Sequence, residues 1–190
     1  MIRRRLEQFS RVPPSEYFYE LAYCLLTPQS NALHCDAVVQ QLKGRDFFNT
    51  ALDPEPLLRQ RPVYVRFHRT KAQRLIDLKA RFPLVMEALS NGFDPKELRD
   101  WLVTNVRGLG YKESAHFLRN IGYRGLAILD RHILRNLKRF GVIRRLPPVL
   151  NRKRYLHIEE KFLRFADLVG IPIDELDLLF WSMETGEVFK

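Results

Sequence analysis

Val106-Arg107-Gly108-Leu109-Gly110-Tyr111-Lys112 decides the reading of this chain. Glycines at 108 and 110 permit positive φ and close backbone approach, so the stretch predicts a tight turn between two helices. Upstream, Asp94-Pro95-Lys96-Glu97 is a helix start: an N-cap aspartate, proline at the first helical position and a glutamate three residues after the cap. The helix it opens runs to about Thr104 with Leu98, Trp101 and Leu102 toward the core. A second helical pattern follows through Ala115, Leu118 and Ile121. Residues 98–121 are therefore a helix-hairpin-helix. The hairpin serves either as an efficient helix–helix turn or as a set of backbone donors for a phosphate at the next helix N-terminus. It lacks the Gly-Lys-Ser/Thr ending of a nucleotide-hydrolysing loop.

Outward from this unit the apolar spacing stays helical and strand alternation is scarce, which predicts an all-α protein. Glu16–Leu26 is mostly apolar and stops at Thr27-Pro28-Gln29-Ser30. A helix over roughly Asn31–Leu42 is expected to place Leu33, Ala37, Val38 and Leu42 together on one apolar side. Short helical pieces occupy 46–62. One helix is expected over Phe67–Phe82, with His68, Arg69, Lys71 and Arg74 outside, and another over Pro83–Leu89. Beyond Gly122 and Gly125, Asp130 reads as the N-cap of a helix whose inner side carries Ile133, Leu134 and Leu137. The 190 residues form one unit, 1–190, with room for two helical lobes and a cleft.

With 32 Lys and Arg against 22 Asp and Glu, the chain carries +10 at pH 7, which favours a polyanionic partner. Residues 131–164 hold 11 Lys or Arg and 2 acidic residues, whereas residues 165–190 hold 6 acidic residues and the single Lys190. Arg107, Arg131, Arg135, Lys138 and Arg139 are candidate contacts to a nucleic-acid backbone, or simply a solvated face. Cys24 and Cys35, the only cysteines, exclude a four-thiolate site. No apolar run approaches membrane-spanning length and no signal peptide is visible, so a soluble, cytoplasmic protein is expected.

Lys112 lies in the first turn of the helix after the hairpin, where the helix dipole and partial desolvation favour a neutral, nucleophilic amine. The alternative is a surface lysine. His34, Cys35 and Asp36 read as helix residues rather than a zinc site, and His132 as structural or phosphate-facing.

Residues 98–140, above all Val106–Lys112 and Leu129-Asp130-Arg131-His132, resemble the helix-hairpin-helix DNA glycosylase superfamily. Leu25-Leu26-Thr27-Pro28-Gln29-Ser30 is similar to its early Leu-Ser-x-Gln-Thr segment. From about Ser15 to Lys190 the chain resembles the compact prokaryotic and archaeal 8-oxoguanine DNA glycosylase/AP lyase branch. The resemblance implies a two-lobed fold with the active site in the interlobe cleft, Lys112 as catalytic lysine, Asp130 as catalytic aspartate and Gln29 in the wedge region. It implies hairpin contacts to DNA around Gly108 and Gly110, with Arg107 and Arg131 beside them. A cation could be held by the carbonyls of Thr104, Val106 and Leu109. No other cofactor is required, and the iron–sulfur cluster of the endonuclease III branch is absent. Phe180, Trp181 and the terminal Phe189-Lys190 are candidates for base recognition, with core packing as the other role for Trp181. The expected partner is double-stranded DNA containing an oxidised purine, met by a monomer. The alternatives are a glycosylase for another oxidised base and a noncatalytic DNA-binding protein.

Overall fold

The computed structural model describes residues 1–188 and 190, and Phe189 lies outside them. All regular structure among these residues is helical. The chain divides into two compact units, one of Pro13–Glu113 and one of Met1–Val12 with Ser114–Lys190.

The Pro13–Glu113 unit contains α2 (Tyr17–Leu26), α3 (Ala32–Gly44), α4 (Glu55–Arg59), α5 (His68–Ser90), α6 (Pro95–Asn105) and the first residues of α7 (Tyr111–Asn120). Helix α2 is its apolar centre: Leu21 to Leu26 are all fully buried, and α3 and α5 pack on it. The rings of Phe18, Phe47, Phe48 and Phe82 pack edge-on and tilted beside it.

Three expectations are corrected here. Helix α5 is one continuous element through Pro83, rather than two. Proline removes one backbone donor, but the apolar seam Leu75, Leu78, Phe82, Val85, Ala88 stays in phase across it and holds both halves to the core. Leu33 is exposed, because the face that α3 buries is Cys35, Val38, Val39 and Leu42. Lys71, expected outside, is only 2% exposed. Its ammonium is drawn inward by three oxygen acceptors described below.

The other unit contains α1 (Ile2–Ser10), the rest of α7, α8 (Arg131–Arg139), α9 (Arg152–Val169) and α10 (Ile173–Thr185), with α10 packed against α1, α8 and α9. Three of the six acidic residues of the C-terminal stretch serve its packing. Asp177 pairs with buried Arg119, Asp174 accepts the Gly125 N–H at 3.1 Å, and Glu175 pairs with Arg3. Burial raises the Asp174 carboxyl above its ordinary range, partly opposed by that hydrogen bond.

Candidate active site

Helix α6 starts with a complete capping box, Asp94 accepting from the Lys96 and Glu97 N–H groups while Glu97 takes the Asp94 N–H. It ends at Val106, whose carbonyl accepts the Leu109 N–H at 3.2 Å. Gly108 has φ +98°, a left-handed conformation that a side chain resists. A Cβ there would also sit 2.5 Å from Arg74 Cδ. Arg107 is exposed and lies 3.6 Å from Asp77.

The turn delivers the chain into α7. The Gly110 N–H points at Glu113 Oε2, 3.3 Å away, so the helix start is closed by its own third residue. Glu113 Oε1 also lies 3.5 Å from Lys112 Nζ, and the Lys112 side chain is 23% exposed. Glu113 is a site residue that the sequence reading missed. Its signal was available: a glutamate three positions after a glycine that has no capping side chain of its own. Beneath α7, Arg99 is fully buried with its guanidinium 5.2 Å from the Tyr111 ring.

The Gln29 turn belongs to the same unit. The Ser30 N–H returns to the Thr27 carbonyl at 3.0 Å, Pro28 takes the second position, and Gln29 is exposed at φ +56°. Lys71 lies under this turn, near enough to Lys112 for the two charges to oppose one another. Burial lowers Lys71 to about 8 and raises the Cys35 thiol to about 12. Hairpin, Lys112 and Gln29 turn thus share one electrostatic neighbourhood.

Asp130 stands in the other unit, at the start of α8. One carboxylate oxygen, Oδ1, accepts both the His132 and Ile133 N–H groups at 2.8 Å, as the N-cap reading expects. The segment leading to it is fastened from α9. Glu159 accepts the Ala127 N–H at 3.0 Å, and the buried Tyr155 hydroxyl donates to the Ala127 carbonyl. Leu126 to Leu129 are all buried. Arg131, Arg135, Lys138 and Arg139 are exposed on α8, and Arg131 Nε contacts His132 Nε2 at 3.1 Å.

The base-recognition expectation is corrected at Phe180. Its ring is 2% exposed and stacked with Phe140 and Phe162 at 5.3 and 5.9 Å, so its faces are engaged by the core of its own unit. Trp181 and Lys190 are partly buried.

Residues 2–171 match the family model for 8-oxoguanine DNA glycosylase. The chain is 39% identical to the 8-oxoguanine DNA glycosylase/AP lyase of Fusobacterium nucleatum, covering 99% of this chain and 90% of that protein. It is 38% identical to the enzyme of the same name from Korarchaeum cryptofilum, covering 100% and 90%. Its fold is similar to that of the Methanocaldococcus jannaschii 8-oxoguanine glycosylase/lyase bound to a 15mer DNA containing 8-oxoguanine. That match has a TM-score of 0.89 and 34% identity, and covers 100% of this chain and 91% of the other. The Thermotoga maritima 8-oxoguanine DNA glycosylase is similar at TM-score 0.88 and 31% identity, with the same coverage. A chain matched this fully in sequence and fold belongs to the 8-oxoguanine DNA glycosylase family.

Proposed function

We propose that this chain excises 8-oxoguanine from duplex DNA and then nicks the strand, with Lys112 as the nucleophile for both steps. The observation that carries this is the placement of Lys112. It stands in the first turn of α7, directly after the glycine hairpin, with its amine partly shielded and beside Glu113. The hairpin backbone and exposed Arg107 grip phosphate without reading sequence, and the damaged nucleotide turns out of the stack. After losing a proton, Lys112 Nζ attacks C1′ of the sugar as the glycosidic bond breaks and the base departs. Ring opening gives a Schiff base, and removal of a C2′ proton expels the 3′ phosphate. Asp130, ionised, stabilises positive charge developing on the sugar and helps orient or deprotonate the amine. Glu113 holds the resting ammonium of Lys112 in place.

The cation expected at the hairpin fits backbone ligation only. The Val106 carbonyl keeps one lone pair beyond its bond to Leu109, and with the carbonyls of Thr104 and Leu109 it would hold the ion. No cluster of His, Cys, Asp or Glu among the described residues offers side-chain ligands nearby. When bound, such an ion neutralises charge on a DNA phosphate. We read the partner as double-stranded DNA, which the net charge of +10 supports, and the enzyme as a cytoplasmic monomer; no helix among the described residues is long and apolar enough to cross a membrane.

Borohydride trapping on a duplex with one 8-oxoguanine, beside Lys112→Gln and with the free base measured separately, tests the proposal. A covalent adduct and base release, both lost in the variant, are expected. Binding without adduct or release refutes it and turns the same assay to other oxidised bases.

A further inference from the structure

Lys71 is the most deeply buried lysine that the chemistry above does not use, at 2% exposure. An ammonium removed from water is costly unless each of its donors finds an acceptor. Here all three do: the Leu26 carbonyl at 2.6 Å, the Pro28 carbonyl at 2.8 Å and Ser30 Oγ at 2.9 Å. These acceptors occupy positions 26, 28 and 30, every second residue along the end of α2 and the turn after it. Leu26 offers a carbonyl from the last turn of α2, where the helix leaves acceptors unpaired and favours positive charge. The Cys35 thiol donates to the same oxygen at 3.2 Å. Ser30 Oγ also accepts the Arg66 N–H at 3.0 Å, which ties the turn to the segment entering α5.

The residue enclosed by these anchors is Gln29, held at φ +56°. A left-handed conformation costs a non-glycine residue roughly 1–2 kcal/mol, and such strain persists only where the surroundings over-determine it. Two features that each need built surroundings, a buried ammonium with three acceptors and a left-handed glutamine, therefore meet at one turn. Neither is needed to end α2, which Pro28 and the Thr27–Ser30 turn accomplish by themselves. What the pair achieves is a fixed backbone at position 29, from which the exposed Gln29 side chain projects.

We propose that Lys71 is a positioning residue for Gln29: its ammonium fixes the 27–30 turn so that Gln29 meets opened duplex in one preset conformation, while Lys71 itself touches no DNA. This rests on the reading of the chain as a glycosylase that turns a nucleotide out of the duplex, with Gln29 in the wedge region as the resemblance implies. The role then belongs to duplex opening. It bears little on a substrate whose sugar is already accessible.

The test compares wild type, Lys71→Met, Gln29→Ala and the double variant on two substrates. One is a duplex with 8-oxoguanine opposite cytosine, and the other a single strand with an abasic site. The readout is the ratio of single-turnover duplex excision to single-strand cleavage, which a general loss of folded enzyme does not move. Lys71→Met and Gln29→Ala are each expected to lower the ratio about tenfold, with the double variant no lower than Gln29→Ala alone, the non-additivity of two residues acting through one contact. A Lys71→Met ratio equal to wild type beside a defective Gln29→Ala overturns the positioning role. So does full additivity in the double variant. An unchanged Gln29→Ala overturns the reading of Gln29, and the inference falls with it. Should Lys71→Met not fold, Ser30→Ala removes one acceptor and keeps the lysine: a lowered ratio supports the proposal and an unchanged ratio refutes it.

Discussion

Asp130 Oδ1 accepts the Ile133 N–H at 2.8 Å, so the carboxylate proposed to face the sugar also caps α8. The two duties separate by substitution. Asparagine caps a helix about as well as aspartate, whereas alanine forfeits about 1 kcal/mol of cap. Asp130→Asn is expected to unfold within about 1 kcal/mol of wild type, the small loss reflecting charge at a helix N-terminus. Excision is expected to fall about 100- to 1000-fold, the usual loss when a group that stabilises transition-state charge is removed. Asp130→Ala should lose both. Denaturant unfolding beside single-turnover base release checks this, and an Asp130→Asn enzyme of normal rate removes the carboxylate from the chemistry.

Arg119 and Asp177 form a 2.9 Å ion pair whose side chains are 3% and 7% exposed. The Arg119 guanidinium also lies 4.9 Å from the centre of the Phe9 ring, so α1, α7 and α10 meet at one charge. Asp177→Leu strands that guanidinium and is expected to cost about 3–5 kcal/mol. Replacing both partners, Arg119→Met with Asp177→Leu, should cost much less, because no uncompensated charge stays buried. Urea unfolding of the three proteins decides it, and an equal loss in the double variant would show that shape rather than charge matters there.

Local chemistry made much of this legible beforehand. The Asp94 capping box, the glycine hairpin and the Asp130 cap are each written within a few adjacent residues, where backbone donors and side-chain acceptors need no tertiary partner. What sequence could not show depended on distant groups. Lys71 reads as a surface residue until Leu26, Pro28 and Ser30, more than forty positions away, supply its acceptors. Pro83 reads as a break until the apolar seam on both sides of it is buried in phase. Phe180 and Trp181 are neighbours of the same chemical type, and only the ring stack with Phe140 and Phe162 separates a core residue from a partly exposed one.

Gly108→Ala tests the hairpin as a grip. At φ +98° an alanine is strained, and its Cβ meets the Arg74 side chain at 2.5 Å. A left-handed residue costs roughly 1–2 kcal/mol, enough to weaken a turn that must hold its shape against phosphate. DNA affinity is expected to fall about tenfold for damaged and undamaged duplex alike, since phosphate contacts carry no sequence information. Fluorescence anisotropy on both duplexes checks this; a loss confined to the damaged duplex would place the glycine in base recognition.

The exposed cations of α8 make a separate prediction. Neutralising Arg135 or Lys138 removes a charge without touching a buried group. If each meets a phosphate, the slope of log affinity against log salt becomes shallower by about 0.9 per residue. Stability should change by no more than about 0.5 kcal/mol, as for other surface substitutions. An unaltered slope assigns that position to a solvated face.

Lys71 gives stability a pH dependence whose sign is fixed. Burial lowers its pKa to about 8 in the folded protein, helped by the charges of Arg74, Arg66 and Lys112 and opposed by Cys35. In the unfolded chain the lysine keeps its proton to about pH 10.4. Below pH 8 both states carry that proton and the effect on stability is constant. Between pH 8 and about 10.4 the unfolded chain binds more protons, so this lysine makes unfolding harder as pH rises. Cys35 acts in the opposite sense: its folded pKa of about 12 exceeds the ordinary thiol value, so the folded state holds the extra proton and stability falls above pH 9. The Lys71 charge lowers the Cys35 pKa, so removing it only raises that pKa further; the folded thiol keeps its proton through pH 8–10 in wild type and Lys71→Met alike, and its contribution cancels in their difference over that range. Wild type is expected to gain stability relative to Lys71→Met from pH 8 to pH 10, with no trend from pH 6 to 7.5. Guanidinium unfolding at half-unit pH steps measures the difference, and a flat difference across pH 8–10 would mean that Lys71 titrates as it does in water.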